Sequence, residues 1–124
     1  MSNIKINWNE IKYFKPSEFN CNCCGKSAIS EKLVKMLDNA RDIAGVTFRL
    51  NSAYRCDVHN KRVGGVKDSS HVLGLAVDIH CNANNTRLAI LRGLIKAGFT
   101  RIGIYRTFIH ADIDTSKPNN IWLG

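Results

Sequence analysis

Apolar and polar positions alternate along this chain with two different periods. From Ser30 to Ala44, Leu33, Met36, Leu37, Ala40 and Ala44 fall on one helical stripe, with Ser30 placed to cap its start and Gly45 to end it. A second helix is predicted from about Thr86 to Ala97, with Leu88, Leu91, Leu94 and Ile95 as its stripe, Asn84 or Asn85 as cap and Gly98 as its stop. Elsewhere the period is two. Val46, Phe48 and Leu50 alternate with Thr47, Arg49 and Asn51, and Leu75, Val77 and Ile79 alternate with Ala76, Asp78 and His80. Thr100 to Tyr105 and Thr107 to Ile113 read as two more short strands joined near Arg106, the second carrying Phe108, His110 and Asp112 on a common face.

The stretch from Cys56 to Gly74 is polar, contains Gly64-Gly65 and holds no period, which predicts a short helix at most and then an exposed loop ending beside His71. No repeat, low-complexity tract or linker divides the chain, so residues 1–124 are expected to form a single domain. The predicted class is α+β, with two main helices packed on a small, mostly antiparallel sheet and a cleft on the sheet's open face.

Composition adds bounds to this picture. With 44% hydrophobic residues, 124 residues can bury a core without staples. The opening Met1-Ser2-Asn3-Ile4-Lys5-Ile6-Asn7-Trp8 alternates polar and apolar residues and builds neither a signal peptide nor a membrane span, so a cytoplasmic product is expected. Lys and Arg outnumber Asp and Glu by 18 to 10, and the net charge of +8 attracts polyanions, nucleic acid and anionic cell walls alike. The basic residues are scattered, so charge selects neither.

Five cysteines, three of them in Cys21-Asn22-Cys23-Cys24-Gly25, suit reduced thiols better than a disulfide framework. A structural zinc site usually needs four ligands in spaced pairs, and no matching pair follows, so Cys21, Cys23 and Cys24 are expected to be small buried packing residues. Cys56 and Cys81 stand apart with no assigned role.

The chemistry points to three other residues: a loop histidine (His71), an aspartate on the strand that follows (Asp78) and a histidine on a later strand (His110). Two imidazoles and a carboxylate suit a catalytic zinc, which keeps a fourth position open. The helical His-Glu-x-x-His arrangement is absent. The run Ser69-Ser70-His71-Val72-Leu73-Gly74-Leu75-Ala76-Val77-Asp78 resembles, position by position, the Ser-x-His-x-x-Gly-x-Ala-x-Asp signature of the M15 peptidases, which are D-alanyl-D-alanine carboxypeptidases and L-alanyl-D-glutamate endopeptidases. The resemblance extends to Ser52-Ala53-Tyr54-Arg55, to Asn60–Gly65, to Gly103-Ile104-Tyr105 and to Phe108-Ile109-His110-Ala111-Asp112.

Carried over residue by residue, the resemblance implies a Hedgehog/D-Ala-D-Ala peptidase-like fold, with His71, Asp78 and His110 as zinc ligands. It also implies Arg55 as a clamp for a substrate carboxylate and Ser69 as a residue orienting the loop or the substrate. Many members of that family carry an acidic general base three residues before the last histidine, where this chain has Thr107. Asp112 shares a strand face with His110 and is the expected catalytic base; its other reading is a carboxylate that only orients a ligating histidine, and Asp114 is a weaker rival. His80 is read as substrate-facing or exposed, His59 as a surface residue, and Gly74 and Ala76 as close packing around the metal loop.

The resemblance thus implies zinc-dependent hydrolysis of peptidoglycan stem peptides by a monomer with no specific nucleic-acid partner. Stand-alone domains of this kind look like phage endolysins, made in the cytoplasm of an infected host and reaching the wall after a holin opens the membrane. Two other classes stay open: a catalytically silent wall- or metal-binding domain, and a basic nucleic-acid-binding protein using the cysteine cluster as a zinc knuckle.

Overall fold

A computed structural model describes residues 6–66 and 69–124; the first five residues of the alternating N-terminal stretch, and Lys67 and Asp68 of the loop before Ser69, lie outside them. Two single-turn 3-10 segments, Trp8–Glu10 and Pro16–Phe19, precede helix α1, Glu31–Ala44. Strand β1 (Leu50–Ser52), the short helix α2 (Asp57–Arg62), β2 (Ala76–His80), helix α3 (Asn84–Lys96), β3 (Arg101–Ile104), β4 (Phe108–Asp112) and β5 (Asn120–Leu123) follow. The strands form one sheet in the order β1-β2-β4-β3-β5, antiparallel throughout except for the parallel β3–β5 pair. This is the α+β class that the periodicity predicts. Among the described residues no helix is long and apolar enough to cross a membrane.

Helix α1 begins and ends where its sequence signals stand. The Ser30 hydroxyl accepts from the Leu33 N–H, and Gly45 closes the helix in the left-handed conformation, its N–H bonded to the Arg41 carbonyl. Its buried face is Leu33, Val34, Leu37 and Ala40; Val34 takes the place expected of Met36, which is only half-buried. In α3 the correction is larger. Ala83, not Asn84 or Asn85, occupies the N-cap, and the buried residues are Ile90, Gly93 and Leu94, while Leu88 and Ile95 are exposed. The helix is rotated because Gly93 lies against α1: a Cβ there would collide with the Ala40 carbonyl oxygen and crowd the Ala44 methyl. Two small residues therefore let the backbones approach closely, and the bulkier Leu88 and Ile95 turn outward.

The sheet divides its side chains by alternation. Val77, Ile79, Ile102, Ile109 and Ala111 face the helices and join Phe19, Phe48, Ile90 and Leu94 in one core. Asp78, His80, Phe108, His110 and Asp112 belong to the opposite phase, and the register sets Asp78 beside His110, His110 beside Gly103, and Gly103 beside Trp122 across four strands. Of the predicted Val46–Asn51 strand only the end pairs with β2, and a register shift between Leu50 and Ser52 brings Ser52 level with Asp78.

Two sequence expectations fail on burial. The loop expected to be exposed is buried at its end, where Ser69, Ser70 and His71 are each at most 5% accessible. Of the three clustered cysteines only Cys21 is buried; Cys23 and Cys24 are exposed and so are not packing residues. The burial at Ser70 has an evident cause. Its hydroxyl donates to Asp114 Oδ2 at 2.7 Å, and the other oxygen of Asp114 accepts from the Ser116 N–H and hydroxyl at 3.0 and 2.6 Å. Asp114 thus ties the His71 loop to the end of β4.

Gly93→Ala should destabilise the fold by about 1–2 kcal/mol in urea unfolding, because overpacking costs more than the ~1 kcal/mol of helix propensity that alanine gains; an unchanged or raised midpoint would show that the helices can separate freely. Burial acts to raise the Asp114 pKa, but hydrogen bonds from Ser116 and Ser70 and the charge of Lys117 bring it down to about 2. A depressed acid stabilises above its unfolded pKa, about 3.9, and that stability disappears as pH falls toward 2. The gap in thermal midpoint between the wild type and Asp114→Asn should therefore be full at pH 6 and close between about pH 4 and pH 2.

Candidate active site

The site is built on the open face of β2 and β4, where alternation and register bring Asp78 and His110 together. His71 reaches the same point from the loop before β2. That loop is gripped by the Ser52–Arg55 segment: the Ala53 carbonyl accepts from His71 Nδ1 at 2.8 Å, and the Arg55 N–H donates to the His71 carbonyl at 3.2 Å. The Ser69 hydroxyl accepts from the His71 N–H at 3.2 Å, closing the turn from within. Gly74 ends the loop with φ 72°, and its carbonyl accepts from the Ser30 N–H, so the loop also docks on the start of α1. A side chain at Gly74 would run into the Ala28 carbonyl.

Both histidines have one ring nitrogen committed. A carbonyl only accepts, so His71 carries its proton on Nδ1 and turns Nε2 inward. Asp112 Oδ2 lies 2.7 Å from His110 Nε2, which holds the proton there and turns Nδ1 inward. The two inward nitrogens meet the same oxygen: His71 Nε2 is 3.3 Å and His110 Nδ1 3.1 Å from Asp78 Oδ1. Tetrahedral zinc with bonds of about 2.0–2.2 Å spaces its ligand atoms by roughly 3.4 Å. Two imidazole nitrogens and a carboxylate oxygen at this spacing fit a zinc ion in both chemistry and separation.

The charges around the three atoms are arranged to keep them in place. Burial works against the ionised form of Asp78, but His110 and His71, which in their cationic form carry a second N–H and donate it to Oδ1, hold its carboxyl far below the usual carboxylate range. Its second oxygen, Oδ2, takes a 3.2 Å ion pair from Arg55 Nη2. Burial likewise lowers the His110 pKa, yet its bonds to Asp112 and Asp78 raise it on balance. Asp112, 1% accessible, is depressed against its burial by His110, the Asp114 N–H and Arg101, whose Nε donates to Oδ1 at 2.8 Å.

The remaining expectations find definite places. Arg55 spends one N–H on Ser52, one on Asn60 and one on Asp78, leaving one on each terminal nitrogen for the cleft. Ser69 contacts the loop. Thr107 is exposed in the β3–β4 turn and does not line the cleft, so an acid at that position would point away from it. Asp114 binds Ser70 and Ser116, one shell away from the histidines. His80 is half-buried on the Asp78 face, and His59, also half-buried, follows the Arg55 turn.

An aromatic wall was not anticipated as a unit. Tyr105 and Phe108 stack at 4.3 Å, Trp122 Nε1 donates to the Tyr105 hydroxyl at 2.9 Å, and the Trp122 ring lies 5.5 Å from that of His110. Gly103 makes this possible: a Cβ there would sit 2.6 Å from the indole, so only glycine lets Trp122 cross β3 to reach His110. The resulting cleft holds about 330 Å³, with Arg55, Arg101 and Lys117 as its cations and Asp78 and Asp112 as its carboxylates among the described residues. A groove of similar volume between Lys12, Tyr13 and α1 has its aspartates occupied, Asp38 by the N–H groups of Lys12 and Tyr13 and Asp42 by the Tyr13 hydroxyl.

Comparison with known proteins finds no curated protein that matches the sequence. A family model does match, that of peptidase M15, over residues 12–114, a span that contains His71, Asp78, His110 and every strand except β5. With its cleft, its paired histidines and its aspartate in place, the chain belongs to the M15 peptidases, a family of zinc-dependent metallopeptidases.

Proposed function

We propose that this chain hydrolyses peptide bonds in the stem peptides of bacterial peptidoglycan, with His71, Asp78 and His110 holding a zinc ion. The observation that carries the reading is the convergence of His71 Nε2 and His110 Nδ1 on Asp78 Oδ1 at the floor of a cationic cleft. Zinc, when bound, supplies Lewis acidity toward a carbonyl and makes water more acidic. The rest is done by the chain. Arg55 and the two histidines fix Asp78, while Ala53 and Asp112 fix the rings. The spare N–H groups of Arg55 suit a carboxylate of the stem peptide, in which free carboxylates abound. Tyr105, whose oxygen accepts from Trp122, keeps its O–H to donate to substrate.

The two roles open to Asp112 are separated by its contacts. Both its oxygens are occupied, Oδ2 by His110 and Oδ1 by Arg101 and the Asp114 N–H, and this supports a carboxylate that orients His110 over one that takes the proton in flight. The three proposed metal ligands come from one chain, which supports a monomer. The endolysin reading, with release to the wall after synthesis, rests on the family resemblance and is part of this proposal.

Digestion of purified peptidoglycan tests the reading, with mass spectrometry of the fragments naming the bond. Release should require zinc, stop on chelation and be absent from His110→Ala. A folded, zinc-loaded protein that releases nothing from several wall types would instead indicate a silent binding domain. Asp112→Asn should weaken zinc binding by about 10–100-fold and recover activity at higher zinc; full zinc affinity with activity lost and the acidic limb of the pH profile removed would make Asp112 the base.

A further inference from the structure

The catalytic cleft uses none of the five cysteines, yet four of them make the other concentration of metal-ligating atoms among the described residues. Cys21, Cys23, Cys24 and Cys56 bring their sulfurs within 4.8 Å of one another. Cys21 Sγ is 3.6 Å from both Cys23 Sγ and Cys56 Sγ, and Cys23 Sγ is 3.3 Å from Cys56 Sγ. We propose that these four cysteines bind a second metal ion, a closed tetrathiolate zinc site that is structural and distinct from the catalytic one.

The argument rests on separation, on exposure and on backbone geometry. Zinc–sulfur bonds of about 2.3 Å set tetrahedral sulfurs roughly 3.8 Å apart, close to what is seen, whereas a disulfide needs about 2.05 Å and would join only two of the four. Cys23 and Cys24 are exposed, so burial of apolar surface does not explain why they gather with Cys56. The chain around Cys21 is folded as a knuckle: its N–H donates to the Lys26 carbonyl at 2.7 Å, and the Gly25 N–H donates to the Cys21 carbonyl at 2.9 Å. Cys56 arrives from a distant part of the sequence as the N-cap of α2. Its own N–H donates to Cys21 Sγ and its sulfur accepts from the His59 N–H, both at 3.4 Å. N–H groups aimed at sulfur favour the thiolate, the form that binds metal.

Four sulfurs leave no open coordination position, so the site has no place for substrate and its effect is on the fold. Binding would exchange the thiol protons for one divalent cation, the protons passing to solvent. The ion would pin the 21–25 knuckle to the residue that follows Arg55, and Arg55 with Ala53 is what grips Asp78 and His71. The cluster is thus placed to fix the segment that positions the catalytic ligands.

The test uses the full chain, its zinc content, and cobalt as a spectroscopic substitute. Two metal ions per chain are expected, one with the near-ultraviolet thiolate-to-cobalt charge-transfer absorption that a histidine and carboxylate site lacks. His110→Ala should leave one ion and keep that absorption. Cys24→Ser, at an exposed position, should abolish or strongly reduce it and weaken that ion by more than about a hundredfold, since losing even an outer partner of a ligand costs 10–100-fold. A wild-type protein holding one ion, lost entirely in His110→Ala, with no thiolate absorption, would overturn the proposal. So would disulfides among the four cysteines detected by mass spectrometry after alkylation of the protein as isolated.

Discussion

The buried carboxylate of Asp78 is the interaction on which the site depends. A lone ionised aspartate in that position would be costly, and the surroundings place one cation and two polar rings around it. Arg55 takes one oxygen, and His71 and His110 converge on the other. Each of these partners comes from a different part of the chain, so assembling the charge also assembles the fold around it: the turn after β1, the loop before β2 and the middle of β4 are brought to one point. An ion at Oδ1 would complete the neutralisation that Arg55 begins at Oδ2. Removing Asp78 would leave Arg55 and two rings without their common partner.

The sheet explains why so few residues suffice. A period of two gives one face to the helices and the other to the cleft, and antiparallel register then aligns Asp78, His110 and Gly103 across neighbouring strands. Ile79, Ile109 and Ala111, fully buried on the far face, hold β2 and β4 in this register, since a slip by one residue would turn Asp78 and His110 into the core. Trp122 extends the row from β5 because Gly103 has no side chain to block it. Rigidity at the site is therefore a consequence of core packing on the opposite side of the same strands.

What could be read from the sequence follows the reach of each signal. Alternation in Leu75–His80 and Thr107–Ile113 puts Asp78, His110 and Asp112 on open faces, and the ends of α1 are set by local caps, so these are recovered. The rotation of α3 is not, because Leu88 and Ile95 fit a stripe as well as Ile90 does and only the contact of Gly93 with Ala40 decides between them. Strand β5 pairs in parallel at the sheet edge from a short segment, Asn120–Leu123, with no alternation to mark it. Face assignment also stops short of contacts: it places Asp112 beside His110, but not its second oxygen against Arg101. The cysteines show the same limit, since nothing local to Cys21, Cys23 and Cys24 indicates that Cys56 lies beside them.

The position of Cys56 bears on how a chain of this size holds His71 and Asp78 in place. Small domains bury a smaller fraction of their surface than large ones, and loops draw least on the core for their order. Here two of the groups that hold them, the Ala53 carbonyl and the Arg55 guanidinium, sit on an irregular segment between a three-residue strand and a six-residue helix. Ala53 is buried, but Arg55 and Cys56 are only partly so, and the core alone gives that segment little support. At its far end the Cys56 N–H donates to Cys21 Sγ, which ties the segment to the stretch that follows the buried Phe19. Tyr54 makes the same connection through its backbone, its N–H donating to the Phe19 carbonyl. Ordering of Arg55 through its neighbours leaves one N–H on each terminal nitrogen unspent, as the proposed carboxylate clamp requires.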